Sequence, residues 1–364
     1  MKRVVASRDV RDAGAVAAGL VGWLRLPVLL AVALLLGACA PLEVVRLHGQ
    51  TMGTTWSARV VVPARTDVDP LRERVQQRLD RVVGQMSTWE PDSDLSRFNR
   101  APAGTWQALP PELLDVLDRA LALARSTGGA YDPTIAPLVD LWGFGPPSQS
   151  HRIPDEAAIA AARERIGWRR IELDRGGSRA LQPGGLHVDL SSIAKGFGVD
   201  EAARALDEAS IGAYLVEVGG ELRARGLRPD GHAWTVAVER PDAAPGAVGD
   251  DAQIQRRIEL RDACIATSGD YRHSFEHAGR RYSHHIDPRS GWPVEHAIAS
   301  VSVIADTCVE ADPLGTALIV LGPVAGMAYA RRHDLAVLFL LRDGDIVVER
   351  ASPAFEALSG STRE

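Results

Sequence analysis

The segment HVDLSSIAKGFG, residues 187–198, carries Asp189, Ser192 and Lys195 at spacings of three. If a strand through His187 and Val188 ends at Asp189 and a helix starts there, all three fall within two turns of the helix N-terminus. Unpaired N–H groups and the helix dipole favour an anion at such an end. Lys195 is also an exception in composition. Of 41 lysines and arginines only Lys2 and Lys195 are lysine. An ammonium is a compact point charge with three rotatable donors, whereas guanidinium is a wide planar fork, so a cramped site facing phosphate or carboxylate can demand lysine. Asp189 alone also reads as a helix cap. Gly196 and Gly198 form only a partial G-x-G outside a strand-to-helix turn, which does not support a Rossmann fold.

VEADPLGTALIV, residues 309–320, places Asp312 and Thr316 four apart on one face of a helix. A carboxylate and a hydroxyl suit a hard cation such as Mg²⁺ that shares its coordination with substrate phosphates. The structural alternative is Asp312 as an N-terminal cap and Thr316 bonded to a backbone carbonyl. In residues 266–294, His273, His277, His284 and His285 crowd together. Zinc is not the leading reading: His284 and His285 are adjacent and would face opposite sides of a strand, and no cysteine stands at ligand spacing. A histidine beside the Asp287-Pro288-Arg289-Ser290-Gly291 turn suits a general base. Trp89 and Tyr131, each beside turn-forming residues, offer flat rings that stack on a base or a flavin, or simply pack in a core.

The elements that would position these residues alternate without regular βαβ order. Residues 54–63 alternate like a strand, and 69–86 have apolar residues at helical spacing. Helices are expected over 110–126, 154–165, 191–210, 311–320 and 323–333. Hairpins are expected over 169–189 and 335–349, strands at 213–218 and 233–239, and a loop over 241–253. The mixture predicts an α+β fold.

The N-terminus reads as a targeting segment. LPVLLAVALLL, after Arg25, is too short to span a bilayer and has the length of a signal-peptide core. Leu36-Gly37-Ala38-Cys39 follows and is similar to a bacterial lipobox, in which the cysteine is acylated and becomes the first mature residue. The expected organisation is a lipoprotein signal peptide over 1–38, a tether over 39–48, a catalytic domain over 49–352 and a C-terminal tail over 353–364. The protein is then expected in the cell envelope, lipid-anchored and facing the periplasm at the inner membrane. After cleavage, 36 basic residues stand against 45 acidic ones, a net charge of −9 that argues against nucleic-acid binding. Cys264 and Cys308 are the other two cysteines; they allow one bridge, not a disulfide framework.

Eight stretches in register resemble the ApbE family of flavin transferases: MGTTW at 52, STWEPDSDLSRFN at 87, GGAYDPTIAPLVDLWGFG at 128, HVDLSSIAKGFGVD at 187, VEVGGELRARG at 216, ATSGDYR at 266, YSHHIDPRSGWPV at 282 and ADPLGTA at 311. The resemblance implies a T-fold-like α+β architecture. Carried over by motif, Met52, Trp89, Ala130, Tyr131, Asp132, Asp189, Lys195 and Ile286 match FAD-contacting positions, and Ser192, Asp312 and Thr316 match magnesium positions. His284 takes the place of the family's histidine. His285 stands where an apolar residue is usual, so either ring is a candidate to face substrate.

What the resemblance implies is a phosphotransferase-type, Mg²⁺-dependent transfer of the FMN moiety of FAD to a threonine of a partner protein, with AMP released. Catalysis would fall to His284, Lys195 and Asp312. The acceptor would be a subunit of a membrane redox complex carrying a Ser/Thr-Gly-Ala-Ser/Thr segment. Two alternatives share these residues: a periplasmic FAD pyrophosphatase giving FMN and AMP, and a flavin-binding lipoprotein without turnover.

Overall fold

The computed structural model describes residues 41–145, 152–241, 253–270, 274–344 and 346–360. The expected signal peptide, Cys39 and most of the 241–253 loop lie outside them. Contacts divide the chain into a small unit, residues 1–43 with 62–66, and a large one, residues 44–61 with 67–364. In the small unit the Ala64 N–H donates to the Pro41 carbonyl and the Arg65 N–H to the Glu43 carboxylate.

Strands β1 (Leu42–Thr51) and β2 (Thr54–Pro63) lead into helices α1 (Asp69–Met86) and α2 (Asp94–Asn99), strand β3 (Thr105–Ala108) and helices α3 (Pro111–Ser126), α4 (Ala136–Leu141) and α5 (Glu156–Arg163). Next come β4 (Glu172–Asp174), β5 (Arg179–Gln182), α6 (Ser191–Glu208), β6 (Tyr214–Val218), β7 (Glu221–Arg225), β8 (Trp234–Glu239), β9 (Ile254–Leu260) and β10 (Cys264–Gly269). The chain ends with β11 (Ser274–His277), β12 (Arg280–Ser283), β13 (Ile298–Ala305), α7 (Cys308–Arg332), β14 (Ala336–Asp343), β15 (Ile346–Ala351) and α8 (Pro353–Gly360). The fold is α+β, as expected.

The main sheet has eight strands in the order β1-β2-β6-β7-β10-β13-β14-β15. α7 packs on β10 and β13, and α6 packs on both α7 and α1. The other face meets the β8–β9 hairpin and α8 through a cluster that includes Trp234, Leu338 and Phe355. β13 is buried over its first seven residues and β14 over its first six, the continuous burial expected of strands covered on both faces. α6 is itself buried on most sides, because it lies between neighbours rather than on a surface.

Several expectations shift. Residues 42–48, expected as tether, form most of β1, whose Leu47 is buried. The expected tail begins with α8, which buries Phe355 completely; one apolar side chain at the right spacing is enough to dock a terminal turn. His187 and Val188 are not a strand: the Val188 N–H and carbonyl pair with the Asn99 side chain instead. The two helices expected over 311–320 and 323–333 are present as the two parts of the run Cys308–Arg332, which is interrupted at the non-helical Gly322 (φ 80, ψ 172) ahead of Pro323; only its start is earlier than expected. Its length and apolarity would suffice to cross a membrane, but most of it is core.

Candidate active site

α6 starts at Ser191, directly after Asp189 has accepted the Ser191 N–H at 2.8 Å. Asp189 therefore stabilises the turn into the helix, with Leu190 at the N-cap position. Within the first turn of α6, the Ser192 hydroxyl donates to the Tyr131 hydroxyl at 3.0 Å. Tyr131 is buried, and burial holds its phenol protonated well above the ordinary tyrosine range, helped by the nearby charges of Asp312, Asp189 and Asp132. Sequence reasoning placed Asp189, Ser192 and Tyr131 in one site, and the structure brings them together.

A second turn brings Lys195 and Gly196. The Gly196 N–H donates to Asp312 Oδ2 at 2.9 Å, joining α6 to α7. Asp312 is thus not the cap of its helix. α7 begins four residues earlier, and Asp200 of α6 takes the N–H groups of Cys308 (3.1 Å) and Val309 (2.9 Å), while Thr307 at the N-cap position makes no side-chain cap. Freed from capping, Asp312 is buried inside the helix, and burial raises its pKa against the opposing pull of the Lys195 ammonium. Thr316, one turn along, lies 3.5 Å from the Ser268 hydroxyl of β10. A disulfide between Cys264 and Cys308 (Cα–Cα 5.3 Å) ties the start of β10 to the start of α7.

Glu221, to which the sequence reading gave no chemistry, completes this cluster. β6 and β7 pair as a hairpin in which Val218 faces Glu221 across Gly219 and Gly220. Both glycines have positive φ (59° and 108°), as a two-residue turn requires. The turn delivers the Glu221 carboxylate to Lys195, whose ammonium donates to Oε1. Burial, with the Asp312 charge beside it, pushes the Glu221 pKa up to about 8 despite the lysine. Its signal in the sequence is an acidic residue immediately after Gly-Gly in VEVGGELRARG.

The remaining candidates surround this centre. Met52 has positive φ (49°) and packs against the core; a side chain at Gly198 would meet its Cε at 2.7 Å. Ala130 is buried. Asp132 is buried as well, and its Oδ1 accepts from the Thr134 N–H (2.8 Å) and hydroxyl (2.6 Å), so the carboxylate shapes its own loop. Trp89 is 67% exposed and lines a cleft of about 400 Å³ with Asn99, Arg100, Arg165 and His187. Ile286 is buried in an aromatic cluster with Trp142 and Tyr282. His285 is buried beside Ser283, whose hydroxyl lies 3.2 Å from Nδ1. His284 is only half-buried and sits edge-on to Phe144. Of the two rings, His284 is the more exposed.

Residues 52–339 match the model of the ApbE family, and the chain belongs to that family. A Vibrio cholerae protein named FAD:protein FMN transferase is 40% identical over 92% of this chain and 98% of its own length. The Escherichia coli K12 protein of the same name is 37% identical over 86% and 89% respectively. The crystal structure of Pseudomonas stutzeri flavinyl transferase ApbE in its apo form superposes with a TM-score of 0.80 at 38% identity, covering 88% of this chain and 98% of that one. This chain is a transferase enzyme.

Proposed function

We propose that the protein moves the FMN moiety of FAD onto a threonine hydroxyl of a partner redox protein. The threonine oxygen bonds to the phosphorus on the FMN side, the bond from that phosphorus to the bridging oxygen breaks, and AMP leaves with that oxygen. The observation that carries this reading is the Lys195–Glu221–Asp312 cluster where α6 meets α7, within a family whose relatives bear this activity in their names. Lys195 supplies an ammonium for the pyrophosphate oxygens at a helix N-terminal end that already favours anions.

A magnesium ion fits the donors. Ser192, Asp312 and Thr316 offer only oxygen, the donor type that suits a hard divalent cation, and a cation there would offset the cost of burying the Asp312 carboxylate. Bound there, Mg²⁺ would neutralise pyrophosphate oxygens as charge gathers on the leaving phosphate. Tyr131 stays protonated and serves as a hydrogen-bond partner rather than a base. His284 takes the hydroxyl proton of the acceptor threonine. Met52, Trp89, Ala130, Asp132, Asp189 and Ile286 frame the flavin and its phosphates.

Cys39, outside the described residues, carries the lipid that anchors the enzyme to the inner membrane, facing the periplasm. Its Cys39→Ser variant should appear in the soluble periplasmic fraction; retention in the membrane would place the anchor elsewhere. Incubation of the mature protein with FAD, Mg²⁺ and an acceptor subunit bearing a Ser/Thr-Gly-Ala-Ser/Thr segment should add the mass of FMN to the acceptor and release AMP. AMP formed equally well without acceptor would identify a pyrophosphatase. No AMP under either condition would leave a flavin-binding protein.

A further inference from the structure

Glu221 is buried to 3% exposure, and of its two carboxylate oxygens one bonds Lys195 while Oε2 has no hydrogen-bond partner. A carboxylate kept in this condition costs stability unless it serves another group. The lysine it holds is confined along its length as well. A Cβ at Gly219 would come 3.4 Å from Lys195 Cδ and 3.0 Å from Thr54 Cγ2, so the aliphatic stem runs in a slot beside a glycine turn. The same turn sets Glu221 at the first position of β7. One hairpin thereby fixes both the stem and the head of the chain's lone mature lysine, next to a helix that carries Asp312.

We propose that Glu221 is a positioning residue, which grips the Lys195 ammonium in one place beside Asp312 so that the cation meets the FAD pyrophosphate without sampling the rotamers of its four-carbon stem. This rests on the reading of Lys195 as the phosphate-binding cation. A held ammonium is worth most when charge is developing on the phosphate oxygens, so loss of the grip should fall on turnover rather than on binding of FAD.

The test uses the full mature protein with Glu221→Ala and Glu221→Gln, the second keeping an oxygen acceptor on a side chain of the same size that cannot ionise. In Glu221→Ala the kcat for FMN transfer should fall by about 10- to 100-fold, with KM for FAD changed far less. Labelling of Lys195 by an amine-selective reagent at fixed pH, followed by peptide mapping, should accelerate about tenfold as the charge-assisted hydrogen bond is lost. Glu221→Gln should fall between the two on both readouts, and it carries the test alone should the alanine variant not fold. Unchanged labelling in a folded variant, or a pure KM effect, overturns the proposal. Wild-type kcat in Lys195→Gln would overturn the phosphate role of the lysine instead, and the labelling result still reports on the Glu221 contact by itself.

Discussion

The packing of α6 on α7 makes Gly196→Ala a demanding perturbation. A Cβ at this position would lie 2.2 Å from the Cys308 carbonyl oxygen, 2.6 Å from the carbonyl carbon and 2.8 Å from Asp312 Cβ. Ordinary contact begins at 3.4 Å, so the nearest overlap is 1.2 Å, and it is with backbone. Cys308 cannot step aside, since its sulfur is bonded to Cys264 and its N–H is held by Asp200. The helices must part instead, by about 1 Å. Alanine gains about 1 kcal/mol over glycine in helix propensity, while overpacking costs about 1–3 kcal/mol and sometimes more. The net loss should be up to about 2 kcal/mol, up to roughly 3 °C in Tm for a domain of about 300 residues. The same displacement moves Asp312 relative to Lys195, and a misplacement of about 1 Å is worth about 100-fold in rate, close to 2.7 kcal/mol at the transition state. Activity should therefore suffer more than stability. Thermal unfolding and FMN-transfer kinetics measure both, with Gly84→Ala as the control: Gly84 lies in α1 with nothing within 4 Å of its Cβ position, and alanine there should stabilise by up to about 1 kcal/mol. A Gly196→Ala protein that is stabilised like the control and turns over normally would refute the close-packing argument.

Three further outcomes follow from the same cluster. Glu221 holds its proton up to about pH 8 in the folded protein, while the unfolded chain releases it near the ordinary 4.5; stability without ligand should therefore fall as pH rises between these values and level off above them, and denaturant melts of Glu221→Gln should show a flatter profile. Asp312→Asn keeps an oxygen for the Gly196 N–H but removes a buried negative charge opposite Glu221, so its Tm should match or exceed that of the unmodified protein while Mg²⁺-dependent turnover falls at least about 100-fold; a large drop in Tm would restore a structural role for this carboxylate. The Cys264–Cys308 bridge spans 44 residues, and Cys264→Ala with Cys308→Ala should lose up to about 4 kcal/mol in chemical denaturation. Both sulfurs are fully buried, so a reductant added to the native protein should leave the Tm little changed until unfolding begins.

Legibility differed between elements for physical reasons. α1 and α3 were readable to within a residue or two, because each has one apolar stripe and proline at its start. The start of α7 was not, because its cap comes from Asp200, more than a hundred residues away. With that acceptor invisible, Asp312 looked like the natural cap, and the structure moves it into the helix interior. β1 and α8 were missed because a terminal segment shows little periodicity of its own; pairing in a sheet and a single docked phenylalanine decide their state.

The candidate site divides in the same way. Ser192, Lys195, Asp312 and Thr316 could be found because helical spacing puts residues three and four apart on one face, and a chain with 39 arginines and only two lysines marks Lys195 in composition alone. Glu221 could not be found so, since its partner lies 26 residues away and meets it only through a hairpin turn. Yet it is Glu221, with Gly219 and Thr54, that accounts for the lysine. A guanidinium, wider than an ammonium, would have to pass the same slot beside Gly219 that the narrow lysine stem fills. The sequence poses the question of why this cation is not arginine; the answer sits on another strand, which is why composition could mark the site but not explain it.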